Sequence, residues 1–165
     1  MKLQPLLLLT LLLAVVVSFF VYRNMQSAVA PVIPELTDLE GKVYDPALLK
    51  NKVYILSYFQ TWCGDCIEEQ PQLQQLKKHF GNDLEILLVS DEPVEKLKGF
   101  KQKYDSGLPI FHSAKSLKGE LGVKAFPTTF LFSKEGKLLV KKVEGINWYN
   151  AEIIDMVNGS LKSFK

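Results

Sequence analysis

The sequence predicts an α/β domain with a mixed central sheet flanked by helices, opened by an N-terminal β-hairpin and preceded by a single N-terminal transmembrane helix. Three observations predict it. Val53 to Phe59 and Leu84 to Ser90 are nearly continuous apolar runs, suited to strands covered on both faces. The stretch after each run places apolar residues at helical spacing, so parallel strands joined by covered crossovers are expected. Lys134-Glu135-Gly136 then separates two further strand-like segments, which adds antiparallel pairing to the same sheet. With 165 residues, 47% of them hydrophobic and 23% charged, the chain can build one sizeable core but not two.

The N-terminus is the first element. From Leu3 to Tyr22 the only polar side chains are Gln4, Thr10, Ser18 and the Tyr22 hydroxyl, and a helix of this length rises about 30 Å, one hydrocarbon thickness. Residues 1–23 are therefore read as a membrane anchor. Lys2 and the α-amine precede it, and Arg23 is the only basic residue after it until Lys42, so the positive-inside rule exports the rest of the chain. Ala28-Val29-Ala30 resembles a cleavage site, which leaves a cleaved signal as the alternative. Retention is favoured because the apolar run exceeds the usual signal core of about 7–15 residues, and because Pro31 after the cut makes a poor extended substrate. No cysteine lies close enough for lipid attachment. Residues 24–33 read as a linker and 34–165 as the folded domain.

Within that domain, Glu35 to Tyr44 surrounds the turn signal Asp38-Leu39-Glu40-Gly41 and predicts the small hairpin. Val53 to Phe59 is the first buried strand. From Ile67 to Phe80, Leu73, Leu76 and Phe80 recur among glutamines and lysines, an amphipathic helix that Pro71 should interrupt or kink. Leu84 to Ser90 is the second buried strand, and Val94, Leu97, Phe100 and Tyr104 mark a helix beginning near Pro93. A short strand around Pro109 to Phe111 and a short helix from Lys115 to Leu121 follow. Thr128 to Phe132 and Leu138 to Glu144 form the antiparallel pair. Asn147 is expected to cap a last helix, with Ile153, Ile154, Val157 and Leu161 inward and Asn158-Gly159 near its end. Parallel strands need covered crossovers, so helices are expected on both faces.

Charge narrows the function classes. The formal net charge of +2 comes from 20 Lys+Arg against 18 Asp+Glu; Lys2 and Arg23 are the only charged side chains in the first 30 residues, so residues 31–165 hold 18 of each sign. A neutral folded part lacks the clustered basic surface that binding nucleic acid requires. The lysines from Lys96 to Lys103, and Lys137, Lys141 and Lys142, are spaced as solvated faces. Two cysteines exclude a disulfide scaffold and a four-cysteine metal centre.

Those cysteines carry the chemistry. In Trp62-Cys63-Gly64-Asp65-Cys66 the first falls where a buried strand gives way to a helix, and two residues three apart on a helical turn are neighbours that a disulfide can bridge. Unpaired N–H groups and the macrodipole at a helix start stabilise an anion and lower the Cys63 thiol pKa. Cys63 is thus the attacking thiolate and Cys66 the resolving thiol. A static disulfide is the plainer alternative, but so short a loop removes little unfolded-state entropy. A two-cysteine metal site would need both His79 and His112 as ligands. Haem attachment fails because Ile67, not histidine, follows Cys66.

Trp-Cys-Gly-Asp-Cys, Pro71 five residues after Cys66, and Phe126-Pro127-Thr128 before a strand resemble the thioredoxin superfamily. The anchored layout, the N-terminal hairpin, the extra strand–helix stretch and Glu69 resemble its TlpA/ResA-type branch of disulfide reductases. The resemblance covers the soluble domain and implies a thioredoxin-like fold. It also implies that Pro127 is cis and faces the disulfide, and that Trp62, Phe126 and Pro127 shape a surface where an extended substrate pairs with the backbone.

Two departures bear on mechanism. Thioredoxin has a buried aspartate six residues before its first cysteine, where this chain has Ser57, so a proton acceptor must come from elsewhere. Glu69, three residues after Cys66, shares its helical face, whereas Glu68 does not. Glu69 also matches the functional glutamate of the TlpA/ResA-type branch, and burial would raise its pKa toward the working range. The alternative is an exposed acid favourable to the helix dipole. The other departure is Asp65, with Gly64 the redox-tuning pair between the cysteines. A carboxylate about 6 Å from Cys63 opposes its thiolate by about 1 kcal/mol after solvent screening, comparable to the helix-end contribution. Destabilising the reduced thiolate favours the disulfide and hence a reductant; an exposed aspartate with little effect is the alternative.

The expectation is a membrane-anchored thiol-disulfide oxidoreductase with its catalytic domain extracytoplasmic. It needs no cofactor beyond the Cys63–Cys66 disulfide and no metal. Its partners are exported cysteine-containing proteins, with apocytochrome c suggested by the resemblance, and a membrane electron donor. Two rivals stand beside it. One is a thiol oxidase of the same fold; the other is a non-enzymatic copper-binding assembly factor, although related copper proteins have three residues between their cysteines.

Overall fold

The computed structural model describes residues 12–18, 33–145 and 147–162. The chain divides into a unit of residues 1–30 and a unit from residue 31 onward. Of the first, residues 12–18 are helical with exposed apolar side chains. The rest of the expected anchor at 1–23, and the linker at 24–33 apart from Ile33, lie outside the described residues. Among the described residues no helix is long and apolar enough to cross a membrane.

The second unit is built on six strands, β1 (Leu36–Thr37), β2 (Val53–Tyr58), β3 (Leu84–Ser90), β4 (Ile110–Ser113), β5 (Thr128–Phe132) and β6 (Leu138–Val143), in the order β1-β4-β3-β2-β5-β6. The apolar runs at β2 and β3 lie side by side in the middle, parallel to each other and to β4. The remaining strands join antiparallel, so the sheet is mixed. Helix α1 (Gly64–Phe80) links β2 to β3, α2 (Val94–Lys103) links β3 to β4, and α3 (Ala151–Lys162) follows β6.

The helices cover one face of the sheet. Stepping from β2 to β3 to β4 moves in one direction, and right-handed crossovers then set α1 and α2 on the same side. Leu73, Leu76, Leu97, Phe100, Ile153 and Val157 share a core with Val53, Ile55, Ile86, Leu88 and Leu131. The alternate side chains, Tyr54, Leu56, Tyr58, Leu87, Val89, Phe130 and Phe132, face a second core. Leu49 of a 3-10 turn (Pro46–Leu49), Leu117 and Val123 close it, not the α-helix expected on that face.

Four local expectations change. The Asp38–Gly41 turn forms, with Gly41 at φ +88° and Asp38 accepting the Lys42 N–H at 2.8 Å. Its return arm gives only the Val43–Thr37 bridge, because Leu36 and Thr37 pair with Ser113 and His112 on their other edge. Helix α1 starts at Gly64 and runs unbroken through Pro71, whose missing N–H costs one bond in a helix that buries Cys66, Glu69, Gln70, Leu73, Leu76 and Phe80. The segment expected as a helix at 115–121 is a single turn, in which Glu120 and Leu121 N–H both reach Ser116 C=O and Gly122, at φ +65°, redirects the chain. The cap of α3 is Asn150, whose Oδ1 accepts the Ile153 N–H at 3.0 Å, not Asn147. Buried Trp148 lies between the two, and its N–H is held by Gln72 Oε1 at 2.6 Å.

Candidate active site

The Cys-x-x-Cys segment sits where the sheet hands over to its longest helix. Strand β2 ends at Tyr58, and the chain turns through Gln60 and Thr61 into Cys63, the N-cap of the 17-residue α1. Cys63 Sγ accepts the Cys66 N–H at 3.2 Å, so one of the unpaired donors of the helix start already points at this sulfur. Cys63 and Cys66 are disulfide-bonded with Cα atoms 5.2 Å apart. Cys63 retains 6% exposure and Cys66 1%, which leaves the first sulfur as the one within reach of solvent.

A network from the end of β3 fixes the turn that carries Cys63. Glu92 accepts the Thr61 N–H at 2.6 Å and the Thr61 hydroxyl at 3.0 Å, and Lys96 Nζ donates to it at 2.9 Å. Asp91 accepts Gln60 Nε2 at 2.6 Å on one oxygen and the Leu117 N–H at 2.8 Å on the other. Sequence reading missed both acids. Their neighbours Gln60 and Thr61 are more than 25 residues away in the chain, and nothing local pairs them.

Glu69 lies in the core one turn beyond Cys66, with 2% of its surface exposed. Burial pushes its carboxyl up to about 7, against the opposing influence of Thr129, Trp148 and Ser57. Ser57 Oγ donates to Oε2 at 3.4 Å and accepts the Thr129 hydroxyl at 2.8 Å, while among the described residues no donor completes a hydrogen bond to the enclosed Oε1. Ser57 and Thr129 are register partners on β2 and β5. The position where thioredoxin has aspartate therefore holds a hydroxyl that faces the carboxylate supplied by α1. Thr129 and Trp148 were not legible as members of this cluster, since only folding brings their segments to α1.

The expected docking residues come together. The Phe126–Pro127 peptide bond is cis. Trp62, 65% exposed, meets Phe126 edge to face with ring centroids 6.2 Å apart, and Lys118 Nζ lies 5.5 Å from the Phe126 ring centre. The Glu144 N–H donates to the Pro127 carbonyl at 2.9 Å, whereas the Phe126 backbone makes no hydrogen bond among the described residues. Gly64 and Asp65 occupy the first turn of α1, with Asp65 exposed.

The histidines do not join them. His79 is in the last turn of α1, about 20 Å of helix from Cys66, and its ring approaches the Tyr149 hydroxyl at 3.3 Å. His112 is two strands from β2, opposite Thr37 and Ser90. Among the described residues no group of three His, Cys, Asp or Glu side chains is placed to hold a metal ion.

Along the first turns of α1, a cleft of about 380 Å³ opens between this helix and the segment after β6, lined by Asp65, Glu68, Glu69, Gln72, Glu144 and Asn147. Gly145 closes its rim, where an added Cβ would stand 3.7 Å from the Asp65 Cβ.

Comparison with known proteins agrees with this architecture. The chain is 35% identical over 109 residues to a thiol-disulfide oxidoreductase ResA of Bacillus cereus, an alignment covering 64% of this chain and 63% of that protein, so it spans less than two thirds of that relative's length. With the ResA of Geobacillus thermodenitrificans it shares 31% identity over 143 residues, 81% of each chain. The thioredoxin domain of a thiol-disulfide oxidoreductase from Bacteroides vulgatus superimposes with a TM-score of 0.69 at 25% identity, covering 80% of this chain and 97% of that one. The AhpC/TSA family model matches residues 29–141, from ahead of the described domain into β6. On that match, which takes in the cysteine pair, Glu69 and the cis-proline, this chain belongs to the AhpC/TSA family and is thioredoxin-like in fold.

Proposed function

We propose that the protein is a thiol-disulfide oxidoreductase that reduces disulfides of exported proteins from an extracytoplasmic, membrane-anchored position. The observation that carries it is a sulfur pair at a helix N-terminus, with the outer sulfur partly exposed and the inner one a turn from a buried carboxyl whose pKa is raised to about 7. In the reduced protein, the Cys63 thiolate attacks one sulfur of the client disulfide; that S–S bond breaks, and the client's other sulfur leaves as a thiolate. Cys66 then gives its proton to Glu69 and attacks Cys63 Sγ, which expels the second client thiolate and forms the Cys63–Cys66 disulfide. Two electrons pass to the client, and a dithiol donor at the membrane returns them by the reverse exchange. Trp62, Phe126 and Pro127 hold the client strand, with the Phe126 backbone, which makes no hydrogen bond among the described residues, available for pairing.

The anchored, exported position rests on the apolar N-terminal run. The thiol-disulfide oxidoreductase name borne by relatives supports the exchange chemistry; the resemblance of the soluble domain to the TlpA/ResA-type branch favours a reductant over an oxidase, and apocytochrome c is a client consistent with that resemblance. Cys66→Ser protein expressed in the native host tests the reading, because it leaves Cys63 linked to its clients. Recovery of exported cysteine proteins as mixed disulfides is expected. Absence of any adduct while Cys63 still reacts with small disulfides contradicts it.

A further inference from the structure

Two hydroxyls interrupt an apolar row beneath α1. On β2 the side chains of Val53 and Ile55 face the helices, and strand alternation brings Ser57 to the same side. On β5 Leu131 faces the same way, and its alternate neighbour Thr129 is the register partner of Ser57. Both residues are 1% exposed. The Thr129 hydroxyl donates to Ser57 Oγ at 2.8 Å, and Ser57 Oγ donates onward to Glu69 Oε2 at 3.4 Å. Two hydroxyls that satisfied only each other could both become apolar side chains at little cost, because neither would leave a partner behind. What sets this pair apart is the carboxyl it reaches.

The arrangement makes the two oxygens of Glu69 unequal. Oε2 accepts from Ser57, whose donation is strengthened because Thr129 donates into the same hydroxyl. Oε1 is enclosed and has no hydrogen-bond donor among the described residues. A proton can settle on Oε1 without displacing any bond, whereas on Oε2 it competes with Ser57. Cys66, three residues earlier on the same helical face and 1% exposed, carries a proton once the disulfide is reduced. The other titratable groups about Glu69 are Cys63 at the start of α1, exposed Asp65 and Glu68 on α1, and exposed Glu144 after β6. Strands β2 and β5 contribute hydroxyls and the segment before α3 contributes Trp148, none of them charged.

We propose that Ser57 and Thr129 are positioning residues for proton transfer in disulfide exchange: their hydroxyls tie Oε2 of Glu69 to the sheet and leave Oε1 as the oxygen that takes the Cys66 proton. The inference rests on the exchange reaction proposed above and assigns two more residues to it. During resolution the Cys66 proton moves to Oε1 and the sulfur's electron pair forms the bond to Cys63 Sγ. The client sulfur leaves with the electrons of the broken mixed disulfide. When a dithiol donor reduces the Cys63–Cys66 bond, the proton returns to Cys66 by the same route. Both hydroxyls favour the charged carboxylate and so oppose the effect of burial; removing either strengthens proton binding at Glu69.

Infrared titration of the full-length disulfide form reads this hold without exchange, because no cysteine titrates there and Glu69→Gln identifies the neutral-carboxyl band. The wild-type midpoint is expected at about 7. Ser57→Ala should bind the proton about tenfold more tightly, with a midpoint about one pH unit higher, and Thr129→Val should move it the same way by less. Ser57→Thr and Thr129→Ser keep a hydroxyl and should restore the wild-type midpoint. In reduced protein, single-turnover resolution of the mixed disulfide formed with 2-hydroxyethyl disulfide should rise with pH along the same midpoints, leaving Ser57→Ala about fivefold slower than wild type at pH 7. A purely structural role would lower the stability of these variants and leave both midpoints in place, and that result overturns the proposal. A titration that moves while the resolution profile stays put overturns it as well. Should Ser57→Ala fold poorly, Ser57→Ala/Thr129→Val, which completes the apolar row, gives the same two readings. Failure of wild type to reduce even 2-hydroxyethyl disulfide overturns the exchange reading and the proton route with it, while the infrared midpoints still decide whether the hydroxyls hold the carboxyl.

Discussion

Glu69 links burial to pH. Burial pushes its carboxyl from the ordinary 4.5 up to about 7, so between those values the folded chain keeps a proton that the unfolded chain has released. Raising the pH through this window therefore destabilises the fold, by about 3 kcal/mol if no other group compensates. Glu69→Gln should remove that slope and make the variant more stable than wild type above pH 7, as measured by denaturant unfolding from pH 4.5 to 8; parallel curves for the two proteins would show that Glu69 is not buried as described. The same substitution takes away the proposed acceptor for the Cys66 proton and should slow resolution of mixed disulfides most near neutral pH. The role proposed for Asp65 is one of charge alone, and an exposed carboxylate with little effect is the alternative. Asp65→Asn is expected to raise the reduction potential by tens of millivolts, since about 30 mV corresponds to 1.4 kcal/mol, and redox equilibration with glutathione would read it. Cys63 and Cys66, and in turn Cys66 and Glu69, were legible because a spacing of three residues makes each pair neighbours on the helix, and Glu69 also through the family resemblance. Ser57, Thr129 and Trp148, which surround the same carboxyl, were not, because their only relation to it is spatial.

The elements show how local rules bend to packing. Pro71 stands inside α1 without ending it, and helix stability here comes from the buried face and not from an intact ladder of hydrogen bonds. The expected helix at 115–121 meets the opposite fate. Asp91 holds the Leu117 N–H, Leu117 fills the second core, and Gly122 turns the chain after a single turn. The Asp91–Glu92 clamp also governs the element that matters most, the turn bearing Trp62 and Cys63. Glu92→Gln would exchange a charged acceptor for an amide that cannot satisfy the Thr61 N–H, Thr61 hydroxyl and Lys96 together. A loss of about 1–3 kcal/mol is expected, with a greater fall in exchange with peptide disulfides than with small ones. Thermal melts and paired rate measurements would separate the two effects; equal falls would assign Glu92 to stability alone.

The whole molecule depends little on its one disulfide. The Cys63–Cys66 bridge closes a loop of a few residues, so its effect on unfolded-chain entropy is at most about 2 kcal/mol. Denaturant unfolding with and without reductant should give one cooperative transition in both states, shifted by no more than that amount; collapse of the reduced protein would assign the bridge a structural role. Scale also decides which face is covered. Sequence periodicity located α1 and α2 but not their side, which follows from strand order, and strand order is set by pairings between segments far apart in the chain. The hairpin expected at Glu35–Tyr44 likewise becomes mostly a turn, because β1 finds β4, about 75 residues on, as its pairing partner.

What the chain determined by itself is the short-range part: two buried strands, a helix starting at a reactive cysteine, a second cysteine and a carboxyl on the same helical face, and a turn joining β5 to β6. Periodicity and spacing encode these because they depend on residues within one or two turns of each other. Only the tertiary structure decided that Glu69 would be buried against Ser57 and Thr129, that Asp91 and Glu92 would hold the cysteine turn, and that Glu144 would join Asp65 and Glu68 around one cleft. Those relations arise where strands distant in sequence pair and helices pack over them, and no local pattern records which distant segment will be the neighbour.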